Sequence, residues 1–265
     1  MQSSSSPSPA DGPPSPPAGS VVVVPCFNEA SRLPGEAFLA CVADMPRVRF
    51  LFVDDGSRDG TAELLATLRS RAPHAIDVLV LPDNVGKAEA VRHGVLHALG
   101  GAPRFVGYWD ADLATPLEEL TRFIDVLERR ADVVLVMGAR VALLGRDIRR
   151  SPLRHYLGRA FATAASWMLG LRVYDTQCGA KLLRADRVRE GVFVKPFVTR
   201  WLLDIEILQR VRRLEGLPRW PAAVRCIHEQ PLDSWRDVRG SKLSLRQMLR
   251  AGLDLVRLTV RPSDV

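Results

Sequence analysis

The chain is predicted to fold as an α/β protein built on a mostly parallel sheet with helices on both faces. Three observations lead there. Short apolar runs rich in β-branched and aromatic residues recur at 21–24, 50–53, 78–81, 105–109 and 133–137. They alternate with segments of helical spacing at 61–72, 87–99 and 117–130, as parallel crossover units require. The runs are apolar throughout, the mark of strands covered on both faces. With 265 residues and 47% hydrophobic content, the chain can bury the core of a single large domain.

Taken in order, the strands deliver polar clusters. The first runs into Pro25-Cys26-Phe27-Asn28-Glu29, the second into Asp54-Asp55-Gly56-Ser57, the fourth into Asp110-Ala111-Asp112. Ligands of parallel sheets sit beyond the carboxyl ends of the strands, so these clusters are predicted to meet at one rim. Adjacent Asp54 and Asp55 are costly unless a ligand or cation uses them; Asp59 reads as the cap of a helix from Thr61. Asn84-Val85-Gly86-Lys87 opens the next helix, where free amides and a lysine suit an anion. If strand geometry continues past 109, Asp110 and Asp112 point the same way and offer hard oxygens to Mg2+ or Mn2+. The purely structural alternative is a helix start, with Thr115-Pro116-Leu117-Glu118 as a capping box.

After 140 the rhythm changes. Helices are expected at 152–171 and 201–214, a short strand at 179–184, and a basic amphipathic helix at 243–260. Asp204 and Glu206, two apart on a helix, cannot share a face, so one is expected at the site and the other in a structural role. His93 and His97 share a face but have no acidic ligand beside them.

Composition narrows the function. The net charge of +7 suits nucleic acid, anionic lipid or phosphorylated substrates, but 6% aromatics and no recognition module speak against nucleic acid. Cys26, Cys41, Cys178 and Cys226 show no zinc or disulfide spacing, which points to a reducing cytoplasm. Residues 1–19, mostly Ser, Pro, Gly and Ala, read as a disordered tail rather than a signal peptide. No stretch reaches the roughly 18 apolar residues of a membrane span. Contact with a membrane would then be peripheral, at the cytoplasmic surface, through 153–171 and 245–260.

The motifs so far, with Asp175-Thr176-Gln177-Cys178-Gly179-Ala180-Lys181-Leu182 and Arg200-Trp201-Leu202-Leu203-Asp204-Ile205-Glu206, occur in the order seen in family 2 glycosyltransferases. The chain most resembles the dolichyl-phosphate or polyprenyl-phosphate glucosyltransferase branch, to which Asp-Thr-Gln-Cys-Gly and Gly240-Ser241-Lys242 are more particular. The resemblance spans about 20–258. It implies a GT-A fold over 20–260, with a nucleotide-sugar half (20–139) and an acceptor half (140–260), a UDP-sugar donor and a divalent metal. It places Pro25, Asn28, Glu29, Asp54 and Asp55 by the nucleoside, Gly86 and Lys87 nearby, and Asp110 and Asp112 in the ribose, metal and diphosphate region. Arg140, Gln177, Arg200 and Lys242 fall on the acceptor or phosphate side.

The reaction expected is inverting transfer, with glucose as the sugar, to a polyprenyl or similar lipid phosphate. Asp112 and Asp204 are its catalytic carboxylates, Asp204 being the candidate base. A hydroxyl acceptor needs that base, whereas a phosphate monoester, with a second pKa of about 6, does not. A soluble or polysaccharide hydroxyl is the rival acceptor. A non-catalytic nucleotide-sugar-binding protein is the rival of another class.

Overall fold

Successive valines of β1 (Ser20–Cys26) enter opposite cores, Val22 and Val24 one and Val23 the other, so a continuous apolar run is buried on both sides. The computed structural model describes residues 19–149, 152–236 and 252–258. The expected tail apart from Gly19, the Gly240-Ser241-Lys242 motif and all of 243–260 except 252–258 lie outside them. β2 (Val48–Asp54) and β4 (Phe105–Trp109) flank β1 in parallel, and β3 (Ile76–Val80) lies outside β2. β5 (Leu135–Ala139) stands further along the same sheet. A separate parallel ribbon pairs β6 (Asp147–Arg149) with β9 (Ser234–Arg236). β7 (Ala180–Arg184) inserts antiparallel between β4 and β5, and β8 (Ile227–Pro231) closes the far edge. The seven-stranded order is β3-β2-β1-β4-β7-β5-β8. Because β7 alone runs backwards, its first residues lie at the rim where the other strands end.

Helices α1 (Gly35–Asp44), α2 (Thr61–Arg71) and α4 (Glu119–Arg129) bury Phe38, Leu65 and Phe123 with Val22, Phe50 and Trp109 on one face. On the other, α3 (Lys87–Leu99), α5 (Pro152–Leu169) and α7 (Leu203–Leu214) bury Val91, Ala165 and Leu208 with Val23, Val53 and Tyr108. α6 (Ala185–Arg187), which runs into a wide turn at Val188–Val192, precedes α7, and the short α8 (Ala223–Cys226) follows it. Residues 252–258 are helical, and Leu258 enters the second core, its carbonyl accepting Gln209 Nε2 at 3.1 Å. Among the described residues no helix is long and apolar enough to cross a membrane. The four cysteines are free and buried.

Several local expectations need correction. The fifth strand is Leu135–Ala139 rather than 133–137, because Val133 closes a turn onto Arg130 and Val134 bonds Cys226 ahead of the ladder. The capping box at 115–118 does not form. Helix α4 starts at Glu119 with no side-chain cap; Thr115 Oγ1 lies 3.7 Å from Cys178 Sγ and its carbonyl accepts Trp109 Nε1. Helix α1 was not anticipated from the pattern, although Phe38, Cys41 and Val42 repeat at helical spacing on its buried side. Phe38 makes edge contacts, both at 5.0 Å, with Phe50 and Phe52. Phe38→Ala is expected to cost about 3–5 kcal/mol, read as a lower urea midpoint, because the sheet cannot close over the void.

Candidate active site

The first two loops of the rim are tied to each other. Asn28, with φ 54°, accepts the Arg58 N–H on its Oδ1, and its own N–H reaches Ser57 Oγ. Asp59 takes the Thr61 N–H at 3.0 Å, but the N-cap of α2 is Gly60, one residue later than the cap expected, and no side chain caps the helix. Glu29 is buried and its carboxylate accepts from Arg32 Nε at 2.9 Å and Nη2 at 2.5 Å, so an internal arginine already neutralises it. Asp54 accepts the Ser57 N–H. Pro25 lies within β1, opposite Val53.

Asp55 serves the next loop. Its carboxylate accepts the Val85 N–H at 2.7 Å, the Gly86 N–H at 2.9 Å and Asn84 Nδ2 at 2.9 Å. Burial raises its pKa against the pull of the Val85 and Gly86 amides. The amides expected to be free at the start of α3 are therefore held by the protein itself, a correction to the anion-cradle reading of Gly86. Gly86, at φ 94°, lets the chain turn there into the helix. Asp55→Ala is expected to lose about 2–3 kcal/mol of unfolding free energy, since donors at the loop lose a charged acceptor.

The centre of the rim is a cluster of carboxylates and ammonium groups. Strand β4 ends at Trp109, and 110–113 is a turn in which the Leu113 N–H reaches the Asp110 carbonyl. Strand alternation therefore does not orient Asp110 and Asp112; the turn does. Asp110 Oδ1 lies 2.5 Å from Lys87 Nζ, and Asp112 accepts the Ala114 N–H at 3.1 Å. A Cβ on Gly179 would collide with the Asp110 carboxylate, which explains glycine at this position of the Asp-Thr-Gln-Cys-Gly motif. Burial disfavours charge on Lys87, but the carboxylates of Asp110, Asp204 and Asp112 outweigh it and raise its pKa.

Asp204, at the first turn of α7, completes the cluster. Its Oδ1 accepts from both the Tyr108 hydroxyl and Lys181 Nζ, and Lys181, wholly buried, also donates to the Cys178 carbonyl at 2.9 Å. Glu206, also buried, accepts the Val198 and Thr199 N–H groups and the Thr199 hydroxyl. The two helix carboxylates thus divide their tasks, Glu206 fastening a loop and Asp204 facing the rim. Tyr108 and Lys181 went unassigned at the sequence level. The available signal was a lone lysine in the apolar run Ala180-Lys181-Leu182-Leu183, which only a buried anion accounts for.

On the far side, Arg140 forms a two-pronged pair with Asp175, Nε to Oδ2 at 2.6 Å and Nη2 to Oδ1 at 2.7 Å. Burial works against both charges, but the pair prevails: Asp175 stays far below the carboxylate range and Arg140 is held above its own. Glu229 of β8 anchors the Asp175 loop by accepting the Tyr174 and Asp175 N–H groups. Beside the pair lies a cavity of about 10 Å³, room for one water, lined by Arg140, Arg159, Tyr174, Thr176 and Gln177 among others. Thr176 Oγ1, buried, has no hydrogen-bond partner among the described residues. Arg200 is not with this group: its Nη2 donates to the carbonyl and Oδ1 of Asn84, in the loop before α3. Lys242 lies outside the described residues.

Among the described residues no three His, Cys, Asp or Glu side chains group to hold a metal. Asp110 and Asp112 nonetheless offer hard oxygens at an accessible strand end, where Lys87 pairs with Asp110 and Lys181 with the nearby Asp204. That donor set fits a dication whose remaining ligands are phosphate oxygens.

A mostly parallel sheet that gathers such groups at its carboxyl rim is the architecture of the GT-A glycosyltransferases. Glucosyl-3-phosphoglycerate synthase from Mycobacterium tuberculosis, solved with Mn2+, UDP and glucosyl-3-phosphoglycerate, matches with a TM-score of 0.65 over 93% of this chain and 81% of its own, at 18% identity. At that identity the likeness is one of fold. Residues 21–186 match glycosyl transferase family 2, and the chain belongs to that family. Dolichyl-phosphate beta-glucosyltransferase of Dictyostelium discoideum is 30% identical over 254 residues, covering 91% of this chain and 73% of its own. The Drosophila melanogaster protein of the same name is 33% identical over 256 residues, 91% and 74% of the two chains.

Proposed function

We propose that this glycosyltransferase is metal-dependent and inverting, and moves glucose from UDP-glucose to a polyprenyl phosphate. The observation that carries the acceptor is the state of Asp204. Its Oδ1 already accepts from Tyr108 and from the buried Lys181 ammonium, so that oxygen is engaged within the protein rather than offered to an acceptor's proton. An acceptor oxygen that arrives ionised needs no such base. A phosphate monoester meets that condition near neutral pH, its second pKa being about 6.

In this reading the loops at Pro25, Asn28, Glu29, Asp54 and Asp55 receive the nucleoside, with Gly86 and Arg200 bordering them. Mg2+ or Mn2+ held by Asp110 and Asp112 would supply charge neutralisation on the departing diphosphate. Lys87 binds the diphosphate as a point charge. Arg140, ordered by Asp175, holds the acceptor phosphate with Gln177 and the Thr176 hydroxyl, and Asp204 orients the acceptor toward the attacked face of the sugar. A beta product from an alpha-linked donor requires attack from the face opposite the diphosphate. Support comes from the names of the curated relatives and from the Mn2+ and UDP bound to the structural relative.

The lipid is reached from its surface. Tyr156 and Trp167, 71% and 87% exposed, stand on the outer side of α5 with Ala160 and Ala164 between them.

The test is transfer of labelled glucose from UDP-glucose with Mn2+ to polyprenyl phosphate, to the matching polyprenol, or to neither. Label in the lipid phase is expected with the phosphate alone. Transfer to polyprenol but not its phosphate would move the assignment to a hydroxyl acceptor, and tight UDP-glucose binding with no turnover on any acceptor would favour a binding protein.

A further inference from the structure

Lys87 is the first residue of α3, the end of a helix where a cation is disfavoured by the dipole. It is there with Nζ 2.5 Å from Asp110 Oδ1 and 5.7 Å from the centre of the Tyr108 ring, its side chain 23% exposed and that of Asp110 37%. The other ammonium of the cluster differs. Lys181 is wholly enclosed and bonded to a carbonyl as well as to Asp204, so it cannot exchange partners. Lys87 can, because its pair opens to the rim and its stem is long and flexible.

We propose that Lys87 is a tethered counter-ion, which occupies Asp110 while the donor site is empty and passes to the donor's diphosphate when metal and nucleotide arrive together. The inference rests on the reading of Asp110 and Asp112 as the metal-holding pair. A dication arriving alone must displace the ammonium from Asp110 and then remain beside it, two like charges with no anion between them. A nucleoside diphosphate supplies that anion. It accepts Lys87, vacates Asp110 and contributes oxygens to the dication, so each ligand clears the way for the other. Gly179 leaves the space that the Asp110 carboxylate occupies, where a Cβ would otherwise lie, and of the two partners the lysine has the longer, more flexible stem.

The test is Mn2+ binding followed by electron paramagnetic resonance, with and without UDP, on the full chain. Wild type is expected to bind Mn2+ weakly alone and at least 10-fold more tightly with saturating UDP. Lys87→Met should bind Mn2+ alone at least 10-fold more tightly than wild type, while Lys87→Arg, which keeps the charge, should not. Lys87→Gln serves as a second neutral variant should the methionine fail to fold, and the same gain is expected of it. Wild type that needs UDP for Mn2+, with neutral variants that gain nothing without it, overturns the counter-ion role and leaves the metal pair standing. Absence of Mn2+ binding to wild type even with UDP removes the metal pair, and this inference with it.

Discussion

Asp112→Ala is expected to lower glycosyl transfer by about 10³-fold or more while the protein remains folded, because in the proposed mechanism it removes charge stabilisation of the leaving group and little else. The Asp112 carboxylate has a partly exposed place in the 110–113 turn, where it accepts the Ala114 N–H. Losing such a contact costs on the order of 1 kcal/mol, so the urea midpoint should hardly move. Excess chelator on the wild type should reproduce the loss, and added Mn2+ should restore the wild type but not the variant. Full activity of Asp112→Ala, or of the wild type in chelator, would remove the metal from the mechanism.

The second large effect separates the acceptor chemistries. With a lipid phosphate, Arg140→Ala should lose roughly 10²–10³-fold in kcat/KM, much of it as a higher acceptor KM, since a desolvated charge pair to the substrate is gone. Asp204→Asn should lose less than the roughly 10²–10⁴-fold that removal of a general base costs. Asparagine keeps an oxygen to accept from Tyr108 and Lys181, so the cluster has a route to stay assembled. Arg140→Ala leaves Asp175 buried beside only its amide donors, and thermal melts must accompany the kinetics. A hydroxyl acceptor demands the reverse ranking. Asp204→Asn inactive with Arg140→Ala near normal, both correctly folded, would overturn the phosphate assignment.

What could be read from the chain before its structure follows physical lines. Strands β1, β2 and β4 were legible because burial on both faces leaves an unbroken apolar run, and Asp54, Asp55, Asp110 and Asp112 were legible because carboxylates at strand ends stand out against it. Pairings made across the fold were not. Nothing local in Asp55 says that it holds the amides of Val85 and Gly86, and nothing in Arg200 says that it reaches Asn84, more than a hundred residues earlier. The Arg140–Asp175 pair likewise depends on a register between segments that no spacing encodes. Thr115-Pro116-Leu117-Glu118 misled because a capping box and a loop that packs on Cys178 use the same residues.

The placement of β7 governs the order in which the molecule can be assembled during synthesis. β5 has two neighbours in the sheet, β7 and β8, and both come later in the chain. A nascent chain emerging from the ribosome can zip β1, β2, β3 and β4 together at once, but β5 waits as an unpaired apolar strand, and β4 as an open edge, until Ala180–Arg184 arrives. The arrival of that strand also brings Lys181 against Tyr108 and Gly179 against Asp110, while Asp204 of α7 and the edge strand β8 follow later in the chain. Truncated chains that stop before 184 should be caught by chaperones or aggregate through those two edges.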